Sequence, residues 1–415
     1  MAVATDFSKA RPVGPIPSGF SARNGELVIG GSIASDLAAE DTPCFVYSRA
    51  MLVDRMALLR AAMPPSLKIH YAIKANSFGP LLGTMVELAD GLDIASGGEL
   101  DMVREAGADM SKVSFAGPGK TDPELRAALS AKVTINLESE GEARRALRIA
   151  EKAGITPRLA VRVNPDFDLK GSGMKMGGGA RQFGVDAERA AALAREIIAA
   201  GCEWRGLHIF AGSQALDADA VIAAQAATLD LADRIARQIG LPLPALNLGG
   251  GFGIAYFAAD APLDIARVGT ALNERIAQLS DRLAETEMAI ELGRWLVAEA
   301  GVYLTRIIDR KESRGEIFLI TDGGLHHQLA ASGNFGTVVR RNYPIAIAKR
   351  FMVDAEEIVN VVGCLCTPLD RLADAVALPR AVEGDLVAVF CAGAYGASAS
   401  PSAFLGHRPA AEMLV

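Results

Sequence analysis

The sequence contains little cysteine, and its charge is not strongly of one sign. Five cysteines occur among 415 residues, at positions 44, 202, 364, 366 and 391. An odd number at scattered positions in a long chain does not resemble a disulfide framework, so reduced thiols are expected. Lys and Arg total 42 against 49 for Asp and Glu, and the formal charge of -7 gives no electrostatic case for a nucleic-acid partner.

Long apolar runs are also missing. No stretch approaches the roughly 18 uninterrupted apolar residues that a membrane-spanning helix needs. The first residues, MAVATDFSKARPVGPIPSGF, lack a basic segment followed by an apolar core, which is the pattern of a secretory leader. The sequence therefore predicts a cytoplasmic protein that does not bind a membrane.

Short apolar runs alternate with helical patterns from about Thr42 to Gly301. FVYS stands at the start of this series, and KIHYAIKA, GLDIAS, RLAVRVNP, WRGLHIFAG, ALNLGGGF and MAIELGR follow, most of them before an Ala-rich amphipathic segment. Roughly eight to nine such strands favour a closed parallel (β/α)8 barrel of the TIM type over residues 46–300. An open doubly wound sheet is the alternative.

The pattern changes after Gly301. VYLTRIIDRKES, GEIFLITDGG, VNVVGCLCTP and DLVAVFCAGAY are apolar runs separated by turns without regular helices. They predict an antiparallel β-domain over residues 301–415, to which residues 1–45 add the strand ELVIGG.

Lys74 is the first candidate for chemistry, because it follows the apolar run KIHYAI. The C-terminal ends of barrel strands form the catalytic face of such a fold. A buried ammonium would be costly there, and a lysine at such a position can serve as an amine nucleophile toward a carbonyl, as a Schiff-base lysine does. The alternative is an exposed lysine just past a strand end.

Other candidates also fall at predicted strand ends. ALNLGGGFGI carries three glycines whose backbone N–H groups could approach a phosphate, although neither it nor AGPGKT has the spacing of a nucleotide-binding motif. HIFAGSQ contributes His208 and Ser213, and ELGR contributes Glu291 and Arg294. Each is unremarkable alone, since a strand histidine is often a core residue and a Glu–Arg pair is often a salt bridge. Together they suit one aromatic cofactor that carries a phosphate.

These residues resemble the fold-type III pyridoxal-phosphate-dependent decarboxylases, which include diaminopimelate, ornithine and arginine decarboxylases. YAIKAN, DIASGGEL, RVNP, HIFAGSQ, GGGFGI, ELGR, CTPLD and GAYGAS occur in the order of that family and span nearly the whole chain. The resemblance implies a TIM barrel with a β-domain, as in alanine racemases and these decarboxylases, a pyridoxal 5'-phosphate cofactor, and a homodimer with shared active sites.

The resemblance also assigns roles to individual residues. It makes Lys74 the Schiff-base lysine, places His208 on the pyridine ring and pairs Glu291 with the ring nitrogen. The same comparison implies further cofactor-binding residues around the ring and the phosphate: Asp93, Arg162, Ser213, Gly249, Gly250, Gly251, Gly293, Arg294 and Tyr395.

Decarboxylation gives these assignments a chemical reason. Loss of carbon dioxide leaves electrons at Cα, and a carboxylate that keeps the ring nitrogen protonated lets the cofactor take them up. Histidine stacking positions the ring, and a proton donor must then reach Cα. The resemblance implies that the partner subunit's Cys366 is this general acid, and that the partner subunit's Tyr395 also completes the site. Without the resemblance, the alternating CLC pattern would indicate a buried core cysteine.

A metal site is not expected from the sequence. CxC lacks a second pair of ligands nearby, and His326 and His327 would point to opposite faces of an extended segment.

Thr367 is the main departure from the family pattern. Diaminopimelate decarboxylases carry a glutamate directly after this cysteine, where it recognises the far end of the substrate. Loss of that carboxylate argues against free diaminopimelate as the substrate. CTPLD, the loop KGSGMKMGGGARQFGVD and the segment DGGLHHQLAASGNFG resemble a subgroup linked to exopolysaccharide (exosortase-associated) gene clusters or to carrier-protein-linked amino acids.

The resemblance therefore predicts a pyridoxal-phosphate-dependent decarboxylase of an amino acid or of an amino-acyl conjugate such as a carrier-linked one. Three other functions are alternatives to it. One is diaminopimelate decarboxylation itself. An amino-acid racemase is disfavoured, because those enzymes generally place an arginine where Glu291 stands. A catalytically silent regulatory homologue is disfavoured because the cofactor residues are all present.

Overall fold

The computed structural model describes residues 6–333 and 340–415, which form two compact units. One unit comprises residues 56–253 and 262–293, and the other comprises the described residues of 1–55, 254–261 and 294–415. Within the described ranges, no helix is both long and apolar enough to cross a membrane.

The first unit is a closed parallel barrel, as the sequence predicts. Each of its eight strands pairs in parallel with the next, and the last pairs with the first. The strands are β1 (Lys68–Ala72), β2 (Gly91–Ile94), β3 (Val113–Phe115), β4 (Thr134–Leu137), β5 (Arg158–Asn164), β6 (Glu203–Ile209), β7 (Ala245–Gly250) and β8 (Glu287–Leu292). Because the first strand pairs with the last, the open doubly wound sheet is excluded.

Helices connect these strands, and their ends follow from the sequence. Thr121 and Glu124 form a capping box at one start, while Gly154 and Gly240 end two helices in the left-handed conformation that glycine tolerates best. The helices are Arg49–Ala62, Gly79–Leu88, Gly97–Glu105, Asp122–Ser130, Glu140–Ala153, Ala187–Ala199, Ala218–Ile239 and Ile265–Ile276. Short strands Met174–Lys175, Val185–Asp186 and Gly212–Ser213 lie in the loops.

Close strand approach depends on glycine at one position in particular. Gly206 has a φ of +88°, and a Cβ there would lie 1.8 Å from the carbonyl oxygen of Ala245. The pairing of β6 with its neighbour β5 shifts register between Trp204 and Leu207. A glycine at this bulge therefore lets β6 and β7 come together.

The second unit contains a mixed sheet rather than the purely antiparallel sheet expected from the sequence. Gly301–Ser313 is its long central strand, and antiparallel partners flank it. Two pairings are parallel: Glu316–Thr321 with Glu357–Val362, and Cys44–Tyr47 with Ala411–Leu414. Parallel neighbours need a long crossover, which residues 322–356 supply for the first pair. The remaining strands are Ile345–Ile347, Arg371–Leu378 and Leu386–Val389.

Two segments near the N-terminus differ from the sequence expectation. FVYS does not begin the barrel, since Cys44–Tyr47 pairs with the central strand of the second unit. ELVIGG forms a separate three-stranded antiparallel sheet from Ser21–Arg23, Glu26–Ile29 and Ser32–Ile33. Its apolar residues Leu27 and Ile29 join a buried cluster with Val46, Leu304 and Phe390. Short helices Ala34–Leu37 and Arg294–Val297 complete this unit.

Candidate active site

A cavity of about 250 Å³ opens at the C-terminal ends of the barrel strands. It brings together five residues that the sequence singled out: Lys74, Asp93, Arg162, His208 and Glu291. In parallel barrels this end carries the chemistry, because the strand ends converge there. The cavity thus holds an amine, a guanidinium, an imidazole and two carboxylates.

Lys74 lies on a short 3-10 turn, Ile73–Ala75, that directly follows β1. Its side chain is exposed, so the argument from a buried ammonium does not hold. The Nζ atom lies 5.8 Å from the ring centroid of Phe210 across the cavity. Gly293 makes room for this turn, since a Cβ there would lie 2.8 Å from the Cβ of Ala75. The lysine is therefore both exposed and directed at the cavity.

Glu291 lies near the end of β8 and is buried together with His208. Its Oε2 lies 2.8 Å from Nε2 of His208, an ion-pair distance without the alignment of a hydrogen bond, and accepts a hydrogen bond of 3.2 Å from Asn247 Nδ2. Burial alone would raise the pKa of Glu291, but the nearby side chains of His208, Lys74 and Arg162 outweigh it and lower the pKa below its usual value. The carboxyl group therefore stays ionised at neutral pH.

Asp93 faces His70, a residue that the sequence analysis did not select. Nδ1 of His70 lies 3.3 Å from Oδ2 of Asp93. Burial would lower the pKa of His70, but the carboxylates of Asp93, Glu291 and Asp90 together raise it above its usual value. Gly91 makes room for the imidazole, since a Cβ there would lie 2.7 Å from its Nε2. Residues 70, 72 and 74 alternate along KIHYAIK, and that alternation was the available signal.

Glu138, at the end of β4, holds three parts of the cavity wall together and was also missed. It accepts hydrogen bonds of 2.7 Å from Arg162 Nη1, 2.6 Å from Gly117 N and 2.7 Å from Gly184 N. Burial would raise the pKa of Glu138, but Arg162 and Lys120 lower it overall. Its position directly after a strand was the signal that the sequence offered.

The glycine run serves strand packing in addition to any role toward a ligand. A Cβ on Gly250 would lie 1.9 Å from the Glu291 carbonyl oxygen, and one on Gly251 would lie 2.2 Å from that of Gly212. The N–H of Gly249 already donates to Asn247 Oδ1 at 2.8 Å. Neither these glycines nor Ser213 is among the described residues that line the Lys74 cavity.

The loop at residues 170–186 approaches the barrel mouth at two places. Met174–Lys175 pairs with Gly212–Ser213, and Met176 and Phe183 line the Lys74 cavity. The guanidinium carbon of Arg162 lies 5.0 Å from the ring centroid of Phe183. Part of the cavity wall is therefore supplied by this glycine-rich loop.

Arg294 and Tyr395 lie together in the second unit. The Arg294 guanidinium carbon lies 4.7 Å from the ring centroid of Tyr395, and Nη1 donates a 2.9 Å hydrogen bond to Tyr256 Oη. Its Nε is buried without a hydrogen-bond partner in the described part of the chain. Burial raises the pKa of Tyr256 to about 12, so the phenol stays neutral. Arg294 is therefore a cation whose Nε–H donor is unused within the described residues, and such a donor suits an anion such as phosphate.

Cys366 lies in the turn that joins Glu357–Val362 to Arg371–Leu378 and is exposed. The strand predicted over VNVVGCLCTP ends at Val362, so the alternation inferred for CLC does not exist. The interpretation of Cys366 as a buried core residue is therefore wrong. A thiol in this position is accessible to a neighbouring molecule.

His326 and His327 would point to opposite faces only if their segment were extended. His326 and His327 lie in a turn instead, and their ring centroids are only 3.8 Å apart. The side chains of His326, Cys364 and His407 come close together. The end of DGGLHHQLAASGNFG, residues 334–336, lies outside the described residues.

Comparisons with known proteins agree with this geometry. A sequence model described as "Pyridoxal-dependent decarboxylase, pyridoxal binding domain" matches residues 49–298. The chain is 37% identical over 380 residues to L-glutamyl-[BtrI acyl-carrier protein] decarboxylase of Niallia circulans, covering 90% of this chain and 89% of the relative. It is 32% identical to diaminopimelate decarboxylase of Aquifex aeolicus, covering 95% and 91%. The crystal structure of diaminopimelate decarboxylase from M. jannaschi superposes with a TM-score of 0.84 at 25% identity, covering 95% and 92%.

Replacement of Glu138 tests whether its charge stabilises the cavity wall. Because its pKa is lowered by folding from an ordinary value of 4.5, the stabilisation is present above that pH and is lost as the pH falls through the folded-state pKa. We expect Glu138→Gln to lower the free energy of unfolding by about 3–5 kcal/mol at neutral pH, because it breaks a buried ion pair. Urea titrations should show this difference shrinking as the pH falls below about 4.5.

Glu140→Gln is the matched control, because Glu140 pairs with a more exposed arginine, Arg189. Its loss should stay below about 1 kcal/mol. Equal losses for the two variants, or a Glu138 effect that grows in acid, would contradict the assignment.

Proposed function

Because the chain belongs to the family of pyridoxal-dependent decarboxylases, we propose that it removes the carboxyl group of an amino acid attached to a carrier protein, with a glutamyl group as the first candidate. The chain is a carboxy-lyase that uses pyridoxal phosphate, and membership of the family carries that conclusion. The proposal concerns the substrate, the residue roles and the assembly.

The turn at residues 363–370 carries the substrate proposal. Its only carboxylate is Asp370, which is buried and accepts hydrogen bonds from the N–H groups of Leu325 and Leu365. Thr367, next to Cys366, supplies a neutral hydroxyl instead. The turn therefore offers no exposed carboxylate to the distal ammonium of diaminopimelate, and a pocket without the partner of a charged group discriminates against that group.

Similarity supports the same choice. The relative named for a glutamyl group on an acyl-carrier protein is 37% identical to this chain, against 32% for the diaminopimelate decarboxylase of Aquifex aeolicus. A glutamyl group held by its side-chain carbonyl keeps its α-carboxyl free for removal and has no distal ammonium. It needs no carboxylate at position 367.

Five residues of the barrel unit fit the cofactor. Oδ1 of Asp93 and Nδ1 of His208 are buried and have neither a hydrogen-bond nor an ion-pair partner within the described residues, so the cavity has polar capacity for a ligand. When bound, pyridoxal phosphate supplies an electron sink for the bond that breaks. We assign covalent attachment to Lys74, ring positioning to His208 and Asp93, and support of the wall to Arg162.

Glu291 has the electrostatics that its proposed role needs. A carboxylate that stays ionised can keep a proton on a pyridine nitrogen, and the lowered pKa of Glu291 has that sign. An arginine there would favour the opposite protonation state, which is the reason for preferring decarboxylation over racemisation. In the second unit, the guanidinium of Arg294 beside Tyr395 supports the predicted role of both residues toward a phosphate. The roles of Ser213, Gly249, Gly250, Gly251 and Gly293 toward the cofactor stay predictions.

Cys366 is proposed as the general acid that protonates Cα in the active site of a second subunit. Its exposure on a turn supports this role, because a thiol that acts on another subunit must be accessible before assembly. Tyr395 contacts Arg294 of its own chain, so this contact does not require a tyrosine from the partner subunit. The proposal also implies a homodimer. We further place the enzyme in the cytoplasm, in keeping with five free cysteines, and cell fractionation tests that placement.

Complementation tests the shared active site. Lys74→Ala and Cys366→Ala should each be inactive alone, whereas co-expressed chains should recover about a quarter of the wild-type activity. This value follows because half of randomly formed dimers are hybrids and each hybrid has one intact site of two. Carbon dioxide release from the purified mixture measures it.

The control pairs Lys74→Ala with a chain that carries both substitutions. That mixture has no intact site and should stay inactive. If the first mixture is as inactive as this control, Cys366 does not act across subunits.

Substrate choice is tested by carbon dioxide release from carrier-bound glutamate, its pantetheine thioester, and free meso-diaminopimelate, lysine, ornithine, arginine and glutamate. We expect turnover of the tethered glutamyl group and at least about 100-fold lower kcat/KM for diaminopimelate. Thr367→Glu should raise kcat/KM for diaminopimelate by about tenfold or more, because it restores a partner for the distal ammonium.

Thr367→Gln is the control, since it has the size of glutamate without the charge and should not gain diaminopimelate activity. Rapid turnover of diaminopimelate by the unaltered enzyme would contradict the proposal and indicate a diaminopimelate decarboxylase.

A further inference from the structure

Three side chains of the second unit that have no role assigned above lie close together. His326 lies in the turn after Glu316–Thr321, Cys364 in the turn after Glu357–Val362, and His407 shortly before Ala411–Leu414. One potential ligand atom from each lies within 4.8 Å of the others. The Cys364 Sγ is 3.9 Å from Nε2 and 4.0 Å from Nδ1 of His407. We name these residues the His–Cys–His cluster.

His326 is the independent sign of a missing ligand in this cluster. Its side chain is fully buried, at 0% exposure, and neither ring nitrogen has a hydrogen-bond partner among the residues that the structure describes. A neutral imidazole has one donor and one acceptor, and leaving both unsatisfied in a dry site is unfavourable. His326 can therefore offer a ring nitrogen to a bound ion.

Two of the three segments are held in place by one buried carboxylate. Asp370 accepts hydrogen bonds from Leu325 N at 2.6 Å and from Leu365 N at 2.8 Å, the residues adjacent to His326 and Cys364. Gly324 and Gly363 make this possible, because a Cβ on either would lie within 2.3 Å of the carboxylate. The positions of His326 and Cys364 relative to each other are thus fixed before any ion binds.

The third segment is held by the neighbouring histidine. Nε2 of His327 lies 2.8 Å from the carbonyl oxygen of Arg408, and its Nδ1 lies 3.2 Å from Tyr303 Oη. Since a carbonyl oxygen can only accept, Nε2 carries the proton and Nδ1 accepts from the tyrosine. His327 therefore anchors the residue next to His407 and is not itself a candidate ligand.

We propose that His326, Cys364 and His407 bind one zinc ion, with a fourth position left for water or another ligand. Two imidazoles and a thiolate are a ligand set that zinc prefers. Zinc–sulfur and zinc–nitrogen bonds of about 2.3 and 2.0 Å place tetrahedral ligand atoms about 3.3–3.6 Å apart, so the cluster must close by about 1.5 Å or less. The His407 ring must also turn, because both its nitrogens are nearly equidistant from Sγ.

Zinc binding would change the state of the cysteine. Without a metal, the Cys364 thiol donates to the Asp322 carbonyl oxygen at 3.5 Å. On binding, the thiol proton leaves to solvent and a zinc–sulfur bond replaces that contact. Because Cys364 is two residues from Cys366, the ion would fix the turn that carries Cys366 and Thr367. This inference does not depend on the identity of the substrate.

Metal content of the cofactor-loaded enzyme tests the proposal. After dialysis with zinc and then against a weak chelator, we expect about one zinc per chain by mass spectrometry, as for a three-ligand site. Cys364→Ser and His407→Gln should each retain at most about one tenth of the zinc that the wild-type enzyme retains. Cys202→Ser is the control, since Cys202 is a half-buried cysteine of the barrel unit and should retain the ion. Cofactor absorbance and the thermal midpoint verify that each variant is folded.

Cobalt substitution gives a second readout. A four-coordinate cobalt ion with a thiolate ligand produces strong ligand-field bands at longer wavelength than the cofactor absorbs, and Cys364→Ser should weaken them while Cys202→Ser should not. The proposal is overturned if the wild-type enzyme neither retains zinc nor binds cobalt. It is equally overturned if the cluster variants retain as much metal as the control.

Discussion

The structure depends most on one buried negative charge at the end of a barrel strand. Glu291 is only 7% exposed, and a carboxylate there is costly unless cations surround it. His208 from β6, Lys74 from the turn after β1 and Arg162 from β5 supply that compensation. The closed parallel topology makes this possible, because it brings strand ends that are far apart in sequence to the same rim.

Glycines and a second carboxylate adapt the barrel to this requirement. Gly250 lets β7 pass close to the Glu291 carbonyl, and Gly293 gives room to the turn that carries Lys74. Glu138 accepts hydrogen bonds from Arg162 and from two loop N–H groups. The Arg162 guanidinium therefore stabilises the negative charge of both Glu138 and Glu291. In the second unit, Asp370 fixes the turn that carries Cys366 and Thr367, because its carboxylate accepts hydrogen bonds from two backbone N–H groups. Because that carboxylate is already used, the turn at residues 363–370 offers no exposed carboxylate to a substrate, and the same turn carries Cys364 of the proposed zinc site.

Much of the barrel and its site could be predicted from the sequence. Apolar runs ending at Lys74, His208 and Glu291 identify strands, and parallel strands put their ends on one face. The parallel pairings of Cys44–Tyr47 with Ala411–Leu414 and of Glu316–Thr321 with Glu357–Val362 could not be predicted, because pairing between distant segments leaves no local pattern. Partners of predicted residues were missed for the same reason. His70 and Glu138 matter through contacts with Asp93 and Arg162, and the adjacency of His326 to Cys364 follows from turns fixed by Asp370.

The central claim is that Lys74 carries the cofactor within a site organised around Glu291. Borohydride reduction of the cofactor-loaded enzyme, followed by digestion and mass spectrometry of the peptides, tests it most directly. The account predicts the cofactor's added mass on the peptide that contains Lys74. Lys120 is the informative comparison, because unlike Lys74 it is buried and donates to Glu142 at 2.7 Å. Label on Lys120 or on any other lysine, with Lys74 unmodified, would contradict the account.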